Sequence, residues 1–162
     1  MRAALLTVSS SKARGEGTDE SGERLAALAE GLGLAVEGRE LIPDEQATIE
    51  ARLRHWCDEA GVELILTSGG TGFSPDDVTP EATRAVIERE APGIAEAMRA
   101  ASRPHTPNWM LSRALAGIRR STLIVNFPGN PRSIEQTGEA IAVALPHALE
   151  LLAGRRPPHE AA

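Results

Sequence analysis

Residues 62–67 read VELILT, an aliphatic run that passes directly into Thr67, Ser68, Gly69, Gly70, Thr71 and Gly72. This junction constrains the fold more than any other feature. A short run bounded by Gly61 and a glycine-rich loop is the pattern of a strand buried on both faces, as in a parallel sheet. Comparable runs lie at 3–8 and 121–127, with a weaker strand over 36–41. Helical patterns fall between them. Leu25, Leu28 and Leu32 share one face of 20–34, and Ile49, Leu53, Trp56, Cys57 and Ala60 share another after Pro43-Asp44. Thr79-Pro80 reads as a capping residue followed by proline in the first turn of a further helix. Pro92-Gly93 then separates that helix from 94–102, and residues 109–118 fit helix or strand equally. Ile141, Leu145, Ala148, Leu149 and Leu152 give a last amphipathic helix, bent at Pro146. Strands alternating with helices predict an α/β fold with a mostly parallel sheet covered on both faces.

Composition narrows the class of function. At 162 residues the chain suits one domain of roughly 100–200 residues. A net charge of −6 and only two Trp, two Phe and no Tyr disfavour nucleic acid and anionic membranes as partners. Cys57 is the single cysteine, and the histidines at 55, 105, 147 and 159 lack paired ligand spacing, so a zinc site is disfavoured. No segment reads as an export signal or approaches the ~20 apolar residues of a membrane span, which predicts a cytoplasmic, soluble protein. Residues 155–162 read as a loose tail.

In a parallel α/β sheet, ligands bind beyond the carboxyl ends of the strands. The loops after Val8, Leu41, Thr67 and Phe127 are therefore the candidate sites. Three glycines within residues 69–72 let backbone N–H groups converge on an anion, and the hydroxyls of Thr67, Ser68 and Thr71 add donors. The spacing is neither a P-loop nor a dinucleotide fingerprint, and a plain flexible connection has the same composition. Asp76 and Asp77 follow closely. A carboxylate pair beside a phosphate cradle suits Mg²⁺, whereas a turn and a helix start would use the same residues structurally. Asp44 sits at the corresponding end of the second strand, where a helix N-cap is the competing role. Asp19 and Ser21 read as caps of the first helix. Ser9, Ser10 and Ser11 follow the first strand, and residues 126–131 (NFPGNP) make a polar turn after the last. Arg132, Arg113, Arg119 and Arg120 are cations that suit either a phosphate or the solvent.

Taken together, these loops resemble those of the MogA/MoaB family of molybdenum cofactor synthesis. The resemblance runs from Leu5 to about Gly154. It rests on Thr7-Val8-Ser9, Asp19-Glu20-Ser21-Gly22, Ile42-Pro43-Asp44, the loop at 67–72 and residues 77–83 (DVTPEAT). Residues 92–99 (PGIAEAMR), 111–117 (LSRALAG) and 126–131 complete the ordered set. The stretches at 92–99 and 126–131 are closer to the MogA branch. The family commonly has Asp where this chain has Ser10, and Leu or Met in place of Phe127. The resemblance implies a three-layer α/β sandwich, a single molybdopterin-binding domain over residues 1–154, and a trimeric or hexameric assembly. It implies adenylyl transfer from ATP to molybdopterin with Mg²⁺, Asp44 and Asp77 being the catalytic and metal-binding carboxylates. Ser9, Thr67, Ser68, Gly69, Gly70, Thr71, Gly72, Ser112, Pro128, Gly129 and Asn130 would bind substrate. A protein that inserts molybdenum would act downstream. A member that binds pterin or nucleotide without transferring adenylyl, as a carrier or scaffold, is the alternative.

Overall fold

The computed structural model describes residues 1–155, so the tail expected over 155–162 lies, apart from Arg155, outside the described residues. The chain begins with β1 (Arg2–Val8), a short α1 (Ser10–Ala13), α2 (Glu20–Gly31), β2 (Ala35–Ile42) and α3 (Gln46–Arg54). α3 runs on as a π-helical turn, His55–Ala60, which Gly61 ends in a left-handed conformation. β3 (Leu64–Ser68), α4 (Thr79–Val86), β4 (Arg89–Glu90) and α5 (Pro92–Ser102) follow. A 3₁₀ turn (Pro107–Leu111) leads to β5 (Ala116–Arg119), β6 (Thr122–Phe127), α6 (Pro131–Ala142) and α7 (Leu145–Leu152).

The strands form one mixed six-stranded sheet in the order β2-β1-β3-β6-β5-β4. The first four are mutually parallel, β5 pairs antiparallel with β6, and β4 pairs antiparallel with β5, so β5 alone opposes the common direction. The mostly parallel sheet expected from the sequence thus carries an antiparallel edge. Residues 109–118, ambiguous by pattern, divide into the 3₁₀ turn and β5, because Ser112 to Leu115 is too short a link for a helix of its own. The final helical region is longer than Ile141–Leu152 indicates. α6 starts at Pro131, capped by the Asn130 side chain accepting from the Arg132 N–H, and the break before Pro146 separates it from α7.

Alternation along each strand builds the two faces. Ala3, Leu5, Leu64, Leu66, Leu123, Val125 and Phe127 pack under α2, α5, α6 and α7. Ala4, Leu6, Val8, Ile65 and Ile124 pack under α3 and α4. Three layers result. The second face also buries Cys57, whose thiol is pushed up to about 11, mainly by desolvation. The native protein is therefore expected to resist iodoacetamide at pH 8, with alkylation of Cys57 becoming rapid in urea. Mass spectrometry reads both. The π turn is fixed by Arg119, which donates from Nε to Asp58 Oδ1 at 2.9 Å and from Nη2 to Oδ2 at 2.7 Å. The guanidinium holds the Asp58 carboxyl below its ordinary range.

Candidate active site

β1 lies between β2 and β3, so the chain leaves it in opposite directions across the sheet. At such a switch the loops after adjacent strands splay apart and leave a crevice at their carboxyl ends. Four loops meet there: residues 9–10 after β1, 43–44 after β2, 69–78 after β3 and 128–130 after β6.

The β3 loop owes its path to glycine. Gly69 has φ +94°, and a Cβ there would stand 2.2 Å from the Val8 carbonyl oxygen. Its own N–H donates to the Phe127 carbonyl at 3.2 Å, which ties β3 to β6. Beyond Gly69 the polarity of the loop sorts itself. The carbonyl of Gly70 accepts from the Thr79 N–H at 3.0 Å, and that of Thr71 from the Arg113 N–H at 2.9 Å. The carbonyl of Gly72 accepts from Arg113 Nε at 2.6 Å. Among the described residues no protein acceptor takes the N–H groups of Gly70, Thr71 or Gly72, nor those of Gly129 and Asn130. A run of engaged carbonyls and unclaimed amides is an anion seat, since unpaired backbone donors favour negative charge. The hydroxyls of Ser68 and Thr79 are buried without a partner at the same place.

Two carboxylates flank this tripeptide. A Cβ at Gly70 would lie 3.4 Å from Asp44 Oδ1, and one at Gly72 would lie 2.9 Å from Asp77 Oδ2. Asp44 is not a helix cap, since the residue preceding α3 is Glu45. Instead it clasps Ser10: the Ser10 N–H donates to Asp44 Oδ2 at 2.6 Å, and the Asp44 N–H donates to Ser10 Oγ at 2.9 Å. Ser10 thus positions the carboxylate that follows the neighbouring strand. Asp77 closes a turn in which the Ser74 N–H donates to its Oδ2 at 2.8 Å. The Oδ1 atoms of both residues enter no hydrogen bond among the described residues. Glu81 is held below the ordinary carboxylate range by the Arg113 guanidinium.

A cavity of about 380 Å³ opens over the seat. That volume is within the range of small-molecule sites. It gathers Gly70, Thr71, Gly72, Asp77, Ser112, Pro128, Gly129 and Asn130 from the sequence-derived set. Asp44 borders the seat at Gly70, outside the cavity lining. Ser9 caps α1 through its hydroxyl. Thr67 is fully buried below the loop, where its Oγ1 accepts from Asn126 Nδ2 at 3.0 Å. The same amide reaches Thr83 Oγ1 at 3.0 Å, so Asn126 ties β3 to α4 under the floor. Asp19 caps α2, whereas Ser21 donates from Oγ to the Gly129 carbonyl at 2.8 Å and fixes the β6 loop.

Sequence reasoning missed one wall entirely. Ser102, Thr106, Asn108, Trp109, Leu111 and Ser133 also line the cavity. The legible signal is one of only two tryptophans placed two residues after Pro107, in a segment that Pro104 and Pro107 interrupt. The role of Arg113 is the other omission. Its residue type suits a phosphate or the solvent, yet it holds Gly72, Asp77 and Glu81 together.

Fold and cavity together define a class: α/β domains with an amide-lined cavity at the switch point of the sheet. Residues 4–147 match the family described as a probable molybdopterin binding domain, and the chain belongs to that family. A molybdopterin adenylyltransferase of Helicobacter pylori is 44% identical over 71% of this chain and 65% of its own length. The enzyme of that name from Escherichia coli K12 is likewise 44% identical, over 70% of this chain and 65% of its own. The chain thus spans about two thirds of the length of the curated relatives it matches. Among solved structures, the molybdopterin biosynthesis enzyme MoaB of Thermus thermophilus superposes with TM-score 0.89 at 45% identity. It covers 95% of this chain and 97% of its own. A MogA structure also gives TM-score 0.89, at 38% identity, covering 94% of this chain and 99% of its own.

Proposed function

We propose that this protein is a molybdopterin adenylyltransferase, a nucleotidyltransferase that moves AMP from ATP to the phosphate of molybdopterin and releases pyrophosphate. The observation that carries the reading is the loop at 70–72, with its carbonyls engaged, its amides unclaimed and a carboxylate at each end. In the reaction an oxygen of the molybdopterin phosphate attacks the α-phosphorus of ATP. That O–P bond forms as the bond to the β-phosphate bridging oxygen breaks, and pyrophosphate leaves with the electron pair. The nucleophile is already ionised at neutral pH, so no general base is required; among the described residues no histidine lines the cavity.

What the site must overcome is repulsion between two phosphate groups. The amides of Gly70, Thr71, Gly72, Gly129 and Asn130 suit phosphate oxygens, and Ser112 adds a hydroxyl at the cavity wall. Positioning of this kind supplies much of the acceleration in phosphoryl-type transfers. The donor set also fits Mg²⁺. A phosphate chain between two carboxylates needs a cation, and Mg²⁺ typically uses one or two carboxylates with phosphate oxygens and water. Among the described residues no cluster of three or more His, Cys, Asp or Glu side chains forms a closed metal site. Asp44 and Asp77 would hold the ion, which when bound neutralises phosphate charge and orients the reacting groups. Cytoplasmic action, assembly into a trimer or hexamer and transfer of product to a molybdenum-inserting protein belong to the same reading.

Chelation tests the metal directly. Pyrophosphate release from ATP and molybdopterin is expected to stop with excess EDTA and to return when Mg²⁺ is restored. A rate indifferent to chelator would remove Mg²⁺ and the two aspartates from the reaction.

A further inference from the structure

We propose that Trp109 is the stacking platform for a fused nitrogen heteroaromatic ring, making it a specificity-determining residue of the cavity. This rests on the adenylyltransferase reading, which supplies two such rings, the adenine of ATP and the pterin of molybdopterin.

The chain has four aromatic residues other than histidine, and three are committed elsewhere or lie off the cavity. Phe127 is fully buried in the core. Trp56 packs over Gly38 and donates from Nε1 to Glu40 at 2.8 Å. Phe73 is 69% exposed and is not part of the cavity lining. Trp109 alone of the four lines the cavity, which Gly70, Thr71 and Gly72 also line. It is half-buried, and its Nε1 takes part in no hydrogen bond among the described residues.

Its backbone is locally constrained. The 3₁₀ turn that carries it begins with Pro107, and the Thr106 side chain accepts from the Asn108 N–H. Arg103 lies over the ring, its guanidinium carbon 6.0 Å from the centroid, and is outside the cavity lining. A cation on one side of an indole leaves the other face for a flat partner. The ligand class follows from the two walls. An anion at the glycine seat and a planar π-system at Trp109 describe a phosphate linked to a bicyclic heteroaromatic ring, with Asn108 and Thr106 beside the indole to meet ring-edge nitrogens.

Binding separates the outcomes. ATP with Mg²⁺ and 6-hydroxymethylpterin are titrated separately, by calorimetry and by tryptophan fluorescence, against the native protein, Trp109→Phe and Trp109→Ala. Aromatic stacking of a base contributes enough that its loss weakens binding by about tenfold or more. The expected result is a Kd at least about tenfold weaker in Trp109→Ala for one probe, with Trp109→Phe within about threefold of native. The same probe should quench native fluorescence and fail to quench Trp109→Phe. The affected probe identifies which ring occupies the platform. If both probes bind native protein and Trp109→Ala equally, the stacking role is overturned while the adenylyltransferase reading stands. If neither binds native protein, the reading beneath it fails as well.

Discussion

Asp77→Asn is expected to slow adenylyl transfer by about 10²–10³-fold or more, and Asp44→Asn by a similar factor. Asparagine keeps the size of each side chain. At position 44 its amide oxygen still accepts from the Ser10 N–H, and at position 77 it still accepts from the Ser74 N–H. Only the charge disappears. Both variants should therefore melt near the native temperature while losing turnover, and added Mg²⁺ should restore little. Steady-state pyrophosphate release together with thermal unfolding reads this. Native turnover in both variants would strike the carboxylates from the mechanism.

Arg113→Met is expected to have the next largest effect, through the loop and not through contact with substrate. Arg113 donates from Nε to the Gly72 carbonyl, from Nη2 to the Asp77 carbonyl at 2.5 Å, and from Nη1 to Glu81. Methionine fills similar volume but leaves those two carbonyls without their donor, and Glu81 without its counter-ion. The bonded amides of the loop, those of Ser74, Asp77 and Thr79, should then exchange their protons faster while the strands keep their protection. We expect KM for ATP to rise and kcat to fall together. Arg113→Lys should recover only part of both, because an ammonium cannot reproduce a fork with donors in three directions. Native kinetics and unchanged exchange at Ser74, Asp77 and Thr79 would show that the loop holds its shape without Arg113.

The pH dependence follows from the same pair. The Glu81 carboxyl is lowered in the folded state, so its contribution is present above the unfolded value near 4.3 and is lost as pH falls through the folded one. Because Glu81 is 42% exposed, solvent screening keeps that contribution small. Acid loss of loop order should therefore precede little global destabilisation.

How much of this was legible in the sequence depends on what kind of physics each part obeys. The central strands announce themselves because Leu64, Ile65 and Leu66 must be apolar on both faces. Gly69 and Gly70 stand out because no other residue fits their backbone at those contacts. The aspartates at 44 and 77 emerge from their places at strand ends. What the sequence conceals is long-range. Arg113 lies 36 residues from Asp77, and only the fold brings its guanidinium to that loop. The clasp between Ser10 and Asp44 crosses from β1 to β2, a pairing set by register and not by local propensity. The Trp109 wall is hidden for a third reason. A short 3₁₀ turn has no hydrophobic period, so residues 107–111 carry no pattern to read.

The most direct measurement combines purified protein, molybdopterin, ATP and Mg²⁺ and weighs the pterin product by mass spectrometry. The expected spectrum shows adenylylated molybdopterin appearing in step with pyrophosphate and absent from the Asp77→Asn reaction. Molybdopterin that stays bound yet unmodified through many enzyme equivalents of ATP would contradict adenylyl transfer and leave a protein that only carries its pterin.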